Sequence, residues 1–246
     1  MNKAFVFLGL FLVLFLAVPN VNADLTDGAV AYWGLDETSG TSADNKVSSS
    51  HDGILSNSGI ISSDSKVGLR AHNYGGSTAW FTDTNGAFGS VGTSSFTFLV
   101  WTKISDTGST EKFLLYTGRD GSFVDVFVIE SISSTLRIRG RIGSGDVATL
   151  QSGSLNTSEY VLLGVTRSGT TAKLFINGVE VDNDTASGWG VDIGSTTSFI
   201  EQFGRLYTSS FNANAYVGLI DEPYLLSGVV WDSTQMMNYY NFHTFY

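Results

Sequence analysis

The chain of 246 residues has no cysteine, 2 prolines, 3 methionines and 3 histidines. Without cysteine there is no disulfide, no thiolate metal site and no cysteine nucleophile. The scattered histidines do not make a zinc cluster. Positive charge is also scarce: 13 Lys and Arg stand against 23 Asp and Glu, a formal net charge of -10. Polyanions are repelled by such a chain, which disfavours a nucleic-acid or anionic-membrane binder. Charged residues make up only 15%, against 42% hydrophobic, so the chain is neither a disordered segment nor an acidic tail. What is abundant is glycine (28) and aromatics (17 Phe, 10 Tyr, 5 Trp), a mixture of turn formers and strand formers. An all-β chain of roughly 200–250 residues can be one domain, so length does not force a division.

Residues 1–23 read as a secretory signal peptide. Met1-Asn2-Lys3 is a short basic segment, Ala4 to Val18 is an uncharged apolar run, Pro19 breaks it, and Val21-Asn22-Ala23 offers compact residues for cleavage. The run is shorter than the roughly 20 residues that span a bilayer, so cleavage is preferred over a retained anchor. No second apolar span follows. The expectation is a mature domain over residues 24–246, secreted or at the cell surface, or periplasmic, without stable membrane insertion after cleavage. An exported, cysteine-free domain relies on its core. Asn156-Thr157-Ser158 and Asn183-Asp184-Thr185 fit the N-glycosylation pattern, a triplet that also arises by chance.

The body shows short apolar runs separated by Gly, Ser, Asn, Asp and Thr. The clearest are Ala29 to Leu35, Phe96 to Ile104, Lys112 to Thr117, Phe123 to Ile129, Leu136 to Ile142, Glu159 to Thr166, Ala172 to Ile176, Phe199 to Leu206 and Tyr216 to Leu226. Asn177-Gly178 between two such runs predicts a two-residue hairpin with positive φ at both positions. Many short strands at regular spacing predict a sandwich or barrel. One helix is predicted over Ser233 to Tyr240, with Asp232 as cap and Gln235 as its reciprocal partner.

Several segments, in order, resemble the laminin-G-like jelly roll of the concanavalin A-like lectin/glucanase superfamily. They are Ala31-Tyr32-Trp33-Gly34-Leu35-Asp36, then Asp44 with His51-Asp52-Gly53-Ile54-Leu55, Lys66-Val67-Gly68, Ser95 to Trp101, Tyr160 to Thr166 with Ala172 to Gly178, and Tyr216 to Glu222 before the helix. The resemblance implies an all-β, two-sheet antiparallel jelly-roll sandwich. Pro223 departs from it, standing where an apolar strand residue is usual; proline removes a ladder donor, so a bulge or an edge is expected there. The resemblance also implies a structural calcium between the opening loop and the closing strand, carried by Asp221 with Asp44 and Asp36. Strand alternation places Val217, Leu219, Asp221 and Leu225 on one face, where a carboxylate needs a partner. The alternative for Asp221 is hydrogen bonding to loop amides.

For ligand binding, Arg137, Arg139 and Arg141 alternate with apolar residues and line one strand face. They form either a basic stripe for an acidic or sulfated glycan, or cross-strand pairs with carboxylates such as Asp125 or Glu130. Trp189, in Ser187-Gly188-Trp189-Gly190, is the first choice for a sugar-stacking residue, the alternative being that it folds back over an open edge. Trp80 is the second, and Arg119 and Asp120 at a hairpin tip are candidate hydrogen-bonding groups. Trp33 and Trp101 belong to the core. A catalytic residue is not expected: a retaining glycosidase needs carboxylates roughly 5–5.5 Å apart, and Asp125 and Glu130, or Asp221 and Glu222, diverge along a strand. His51-Asp52 has no nucleophile assigned to it. The expected function is a non-catalytic carbohydrate-binding or adhesion domain for glycans or glycosylated surfaces. The alternatives are an adhesive module that binds protein and no sugar, and a glycoside hydrolase with an unusual site.

Overall fold

A computed structural model describes residues 28–56, 60–75, 79–119, 126–143, 147–193, 199–207 and 212–245; the signal segment lies outside them. The described strands begin with β1 (Ala29–Tyr32), β2 (Ser42–Ala43), β3 (Gly53–Leu55), β4 (Ile61–Ser62), β5 (Ala71–Gly75) and β6 (Phe81–Asp83). Next come β7 (Phe96–Ile104), β8 (Lys112–Arg119), β9 (Val126–Ile132), β10 (Thr135–Arg141), β11 (Val147–Gln151) and β12 (Val161–Ser168). The last are β13 (Thr171–Ile176), β14 (Val179–Thr185), β15 (Phe199–Phe203), β16 (Leu206–Tyr207), β17 (Asn212–Ala213) and β18 (Val217–Ser227), followed by α1 (Ser233–Phe245).

Two antiparallel sheets stack face to face. The first runs β14-β13-β12-β7-β18-β5-β4, with β1 also on β18; the second runs β11-β10-β9-β8-β15-β6-β3-β2. The closing strand therefore returns beside the opening one, with Ala29 opposite Leu226 and Tyr32 opposite Tyr224. The inner faces meet in a core that includes Phe81, Phe88, Phe96, Phe98, Val100, Leu136, Ile138, Leu163, Phe203 and Ile220.

Strand β7 is apolar on both sides because both sides are covered. Leu99 and Trp101 turn away from the core and pack with Leu162, Phe175, Tyr224, Leu226, Met236 and Tyr239 under α1. That helix begins as predicted: the Gln235 amide donates to Asp232 Oδ1 at 2.9 Å and the Asp232 amide to Gln235 Oε1 at 3.0 Å. It continues past Tyr240 to Phe245. The Asn177-Gly178 hairpin is also as predicted, with φ of 52° and 81°.

Pro223 sits in a bulge. The pairing of β18 with β7 shifts register between Asp221 and Tyr224, and Glu222 takes φ 52°. The extra residue corrects one expectation. Leu225 lies in the core with Ile220, whereas Asp221, opposite Trp101, lies on the helix-covered face. Alternation does not survive an inserted residue.

Candidate functional site

Strand alternation turns Arg137, Arg139 and Arg141 to the outer face of the second sheet, because Leu136 and Ile138 enter the core. They do not form an open basic stripe. Arg137 donates through Nε to Glu130 and through Nη2 to Glu111. Arg139 Nη2 donates to Glu130 Oε2 at 2.8 Å and lies 3.7 Å from Glu111 Oε2. The ladder sets this up, since Arg137 stands opposite Glu130, and Arg141 opposite Val126 and Val147. Burial alone would lower the Arg137 pKa, but Glu130 and Glu111 hold it above its ordinary value. Cross-strand pairing, the alternative reading of the stripe, is what this face uses for Arg137 and Arg139.

Beside this network Phe113, Tyr116, Val126, Val128 and Leu206 form a small apolar cluster on the same face. Beyond it Gln202 and Arg205 are buried, Trp80 and Thr82 partly so, and Ile54 exposed. Gln202 pairs with Thr82, and Thr82 with Ile54, whose side chain is 55% exposed. Trp80 immediately precedes Phe81, a core residue, and so faces outward. Its backbone is fixed by two hydrogen bonds with Ser56, both 2.9 Å. Its ring is half-buried and carries the Arg205 guanidinium 4.9 Å from its centroid. Arg205 was not singled out from sequence; the signal was its place just after a glycine turn that ends a strand.

Trp189 is the main correction. Its side chain is fully buried in the core, in a 3-10 turn over Ser187–Gly190, with Nε1 donating to Asp184 Oδ2 at 2.9 Å. Room for it is made by Gly140, while Gly188 lets the turn press against the backbone of Gly140 and Ala148. A Cβ on Gly140 would lie 2.8 Å from the indole and 2.7 Å from the Gly188 carbonyl. Arg167 seals the turn from below, donating to the carbonyls of Val191, Gly92 and Ser94 at 2.8, 2.7 and 2.7 Å. Burial lowers its pKa to about 10. Trp189 closes the sandwich and has no face for a sugar.

Of the remaining candidates, Arg119 ends β8 opposite Phe199, while Asp120 and Asp125 lie outside the described residues.

The calcium set does not assemble. Asp221 is buried, and its Oδ2 accepts the amides of Lys66 and Val67 at 2.8 and 3.0 Å. Asp36 Oδ1 accepts the amides of Leu69 and Arg70 at 2.5 and 2.8 Å. Asp44 stands apart, exposed, against Ser42 and Lys46. Among the described residues no group of three or more His, Asp or Glu is placed to hold a metal ion. Asp36, Asp44 and Asp221 thus do not fit a shared cation. What sequence reasoning missed is Glu222, buried by the bulge and bonded by the Tyr32 hydroxyl. Burial pushes Asp221 up to about 7 and Glu222 up to about 8; amides and Tyr32 oppose this, and the neighbouring carboxylates add to it.

His51 does not pair with Asp52. Its Nδ1 lies 3.0 Å from Asp83 Oδ2, while Asp52 Oδ1 accepts the Asn45 amide at 2.9 Å. Among the described residues no nucleophile is bonded to it. No helix among the described residues is long and apolar enough to cross a membrane.

A laminin G-type family model, described as the concanavalin A-like lectin/glucanases superfamily, matches residues 75–232. No curated protein matches the chain. Among solved structures, one of botulinum neurotoxin type C, described as depending on two ganglioside molecules for cell entry, is similar at TM-score 0.65 and 14% identity. It covers 91% of this chain and 53% of that one. The binding domain of botulinum neurotoxin DC, in complex with rat synaptotagmin II, gives 0.63 and 12%, with 90% and 53% covered. Domain 4 of an extracellular arabinanase from Geobacillus stearothermophilus, in complex with arabinotriose, gives 0.63 and 16%, with 85% and 97% covered. The chain thus spans about half the length of the neurotoxin chains and nearly all of the arabinanase domain.

Proposed function

The chain belongs to the concanavalin A-like lectin/glucanases superfamily, and from that premise we propose an exported, non-catalytic domain that binds carbohydrate or a glycosylated surface. The observation that carries the reading is the partly exposed Trp80 indole, backed by buried Arg205, on the second sheet's outer face. An indole face takes the C–H face of a pyranose or furanose ring, and the Arg205 guanidinium, itself buried against the indole, holds that ring in place. Thr82 and exposed Ile54 extend the platform along one row of the ladder.

The absence of catalysis is part of the proposal. Glu130, the carboxylate this face might offer as acid or nucleophile, is wholly buried and bonded to two arginines. The arabinanase domain with its bound trisaccharide supports the same reading.

A glycan array on the mature protein tests it. Binding that is lost in Trp80→Ala while the variant stays folded is the expected result, and Arg205→Lys, which keeps the charge but not the planar stack, should weaken it. Failure to bind any glycan removes the proposal, and release of reducing ends from a polysaccharide panel overturns its non-catalytic part.

A second reading, an adhesive protein-binding module, has its own observation. Val179 and Val181 on edge strand β14 are 53% and 44% exposed. An edge with apolar side chains can accept a partner's strand. Pull-down from cell envelope that survives Trp80→Ala would favour it.

A further inference from the structure

We infer that Asn156 is an acceptor for N-linked glycosylation and that Asn183, the second copy of the triplet, is not. Both side chains are exposed, but one lies in a loop and the other in a paired strand. Asn156 is exposed in the connection between β11 and β12, where Gly153, Ser154, Ser158 and Glu159 are exposed as well. An Asn-x-Ser/Thr acceptor belongs in such a surface loop. Its carboxamide oxygen accepts the Ser158 amide at 3.1 Å and the Ser158 hydroxyl at 2.7 Å. This local turn brings the hydroxyl of the triplet onto the asparagine side chain through Oδ1 alone. Nδ2, the atom to be modified, takes no part in it.

Asn183 is built into β14. It lies opposite Lys173 in the ladder, its Nδ2 donates to Glu180 Oε1 at 3.1 Å, and its amide donates to Asp182 Oδ1 at 2.9 Å. The flanking Asp184 is held by Trp189 Nε1, and Thr185 by Thr171. To enter a transferase, this triplet would have to peel the edge strand from the sheet.

The reaction needs an oligosaccharide carried on a lipid diphosphate and a transferase that reads the triplet. The bond from Asn156 Nδ2 to the anomeric carbon forms as the anomeric C–O bond breaks. The lipid diphosphate leaves with the electron pair, and the nitrogen gives one proton to the transferase's base. Oδ1 is untouched, so the turn is retained in the product. In the cell the step rests on the export proposed above. With purified components it does not, so failure of either idea is seen separately.

The test is to incubate the folded protein, and separately the denatured chain, with a single-subunit oligosaccharyltransferase and a lipid-diphosphate oligosaccharide. Intact mass and peptide mapping read the result. The folded protein is expected to gain one glycan, at Asn156, and the denatured chain two. Asn156→Gln and Ser158→Ala, with unchanged melting, each reduce the folded product to none, while Asn183→Gln leaves it at one. A glycan on Asn183 of the folded protein, or none on Asn156, overturns the assignment.

Discussion

Glu130 and Glu201 lie on the same sheet, both are wholly buried, and they point to opposite faces. On the outer face Glu130 is bonded to Arg137 and Arg139. In the interior Glu201 accepts only the Phe88 amide, at 2.9 Å, through Oε2, and Oε1 has no partner. The tryptophans divide in the same way: Trp189 inside, held by close-packed glycines, and Trp80 outside, half-buried under a cation. Glu201 is held in the interior in a setting that favours its neutral form, whereas Glu130 on the outer face is paired with two arginines. Of these two tryptophans, it is the one on the outer face that a ligand can reach.

The widest separation between the two faces is expected at the tryptophans. Trp189→Ala removes a fully buried indole from a region that cannot collapse, and should cost about 3–5 kcal/mol. Trp80→Ala should cost clearly less, about 1–2 kcal/mol, since Trp80 is only partly buried, yet weaken glycan binding. Urea unfolding of both variants checks this. Equal destabilisation would erase the distinction between closing residue and platform residue.

A smaller effect is expected at the arginine network. Arg139→Met leaves Glu130 buried with Arg137 as its remaining partner. Because the arginine is 20% exposed and one guanidinium stays, the cost should fall at or below the low end of a broken buried pair, roughly 2–3 kcal/mol. A double-mutant cycle with Glu130→Gln measures the coupling. Additive losses would mean that the pairing adds no stability.

Much of the fold is legible where local signals agree with the tertiary outcome. The run Phe96 to Ile104 is β7 without adjustment, and the Asp232–Gln235 box starts the helix where it should. The short strands β2, β3, β4 and β6 escaped, because two or three residues carry no period and pair only once the sheets exist. The site was harder. The polar neighbours of Trp189 in sequence point to a loop, whereas its burial depends on Gly140, 49 positions earlier. Glu222 joined the buried acids only through a bulge that Pro223 announced but whose effect on side-chain direction alternation could not supply. The arginines were correctly set on one face; whether that face was free depended on Glu111 and Glu130 across the sheet.

The pH response of the two glutamates sharpens the contrast further. Burial, with Asp83 nearby adding to it, raises the Glu201 pKa well above its ordinary value of 4.5, and the Phe88 amide only partly offsets this. The folded state thus keeps the Glu201 proton to a pH at which the unfolded chain has already released it. The stability from this position is complete below about pH 4.5 and is lost as pH rises toward the folded value. Glutamine has no proton to release and can still accept the Phe88 amide. Glu201→Gln should therefore match the parent near pH 4 and become the more stable of the two by pH 8, while Glu130→Gln, which removes a charge the arginines need, should be the less stable at pH 8. Urea midpoints at pH 4, 6 and 8 decide it. Curves for the parent and Glu201→Gln that run parallel across this range would mean that Glu201 is ionised inside the core, and the proposed difference between the two faces would fail at its interior side.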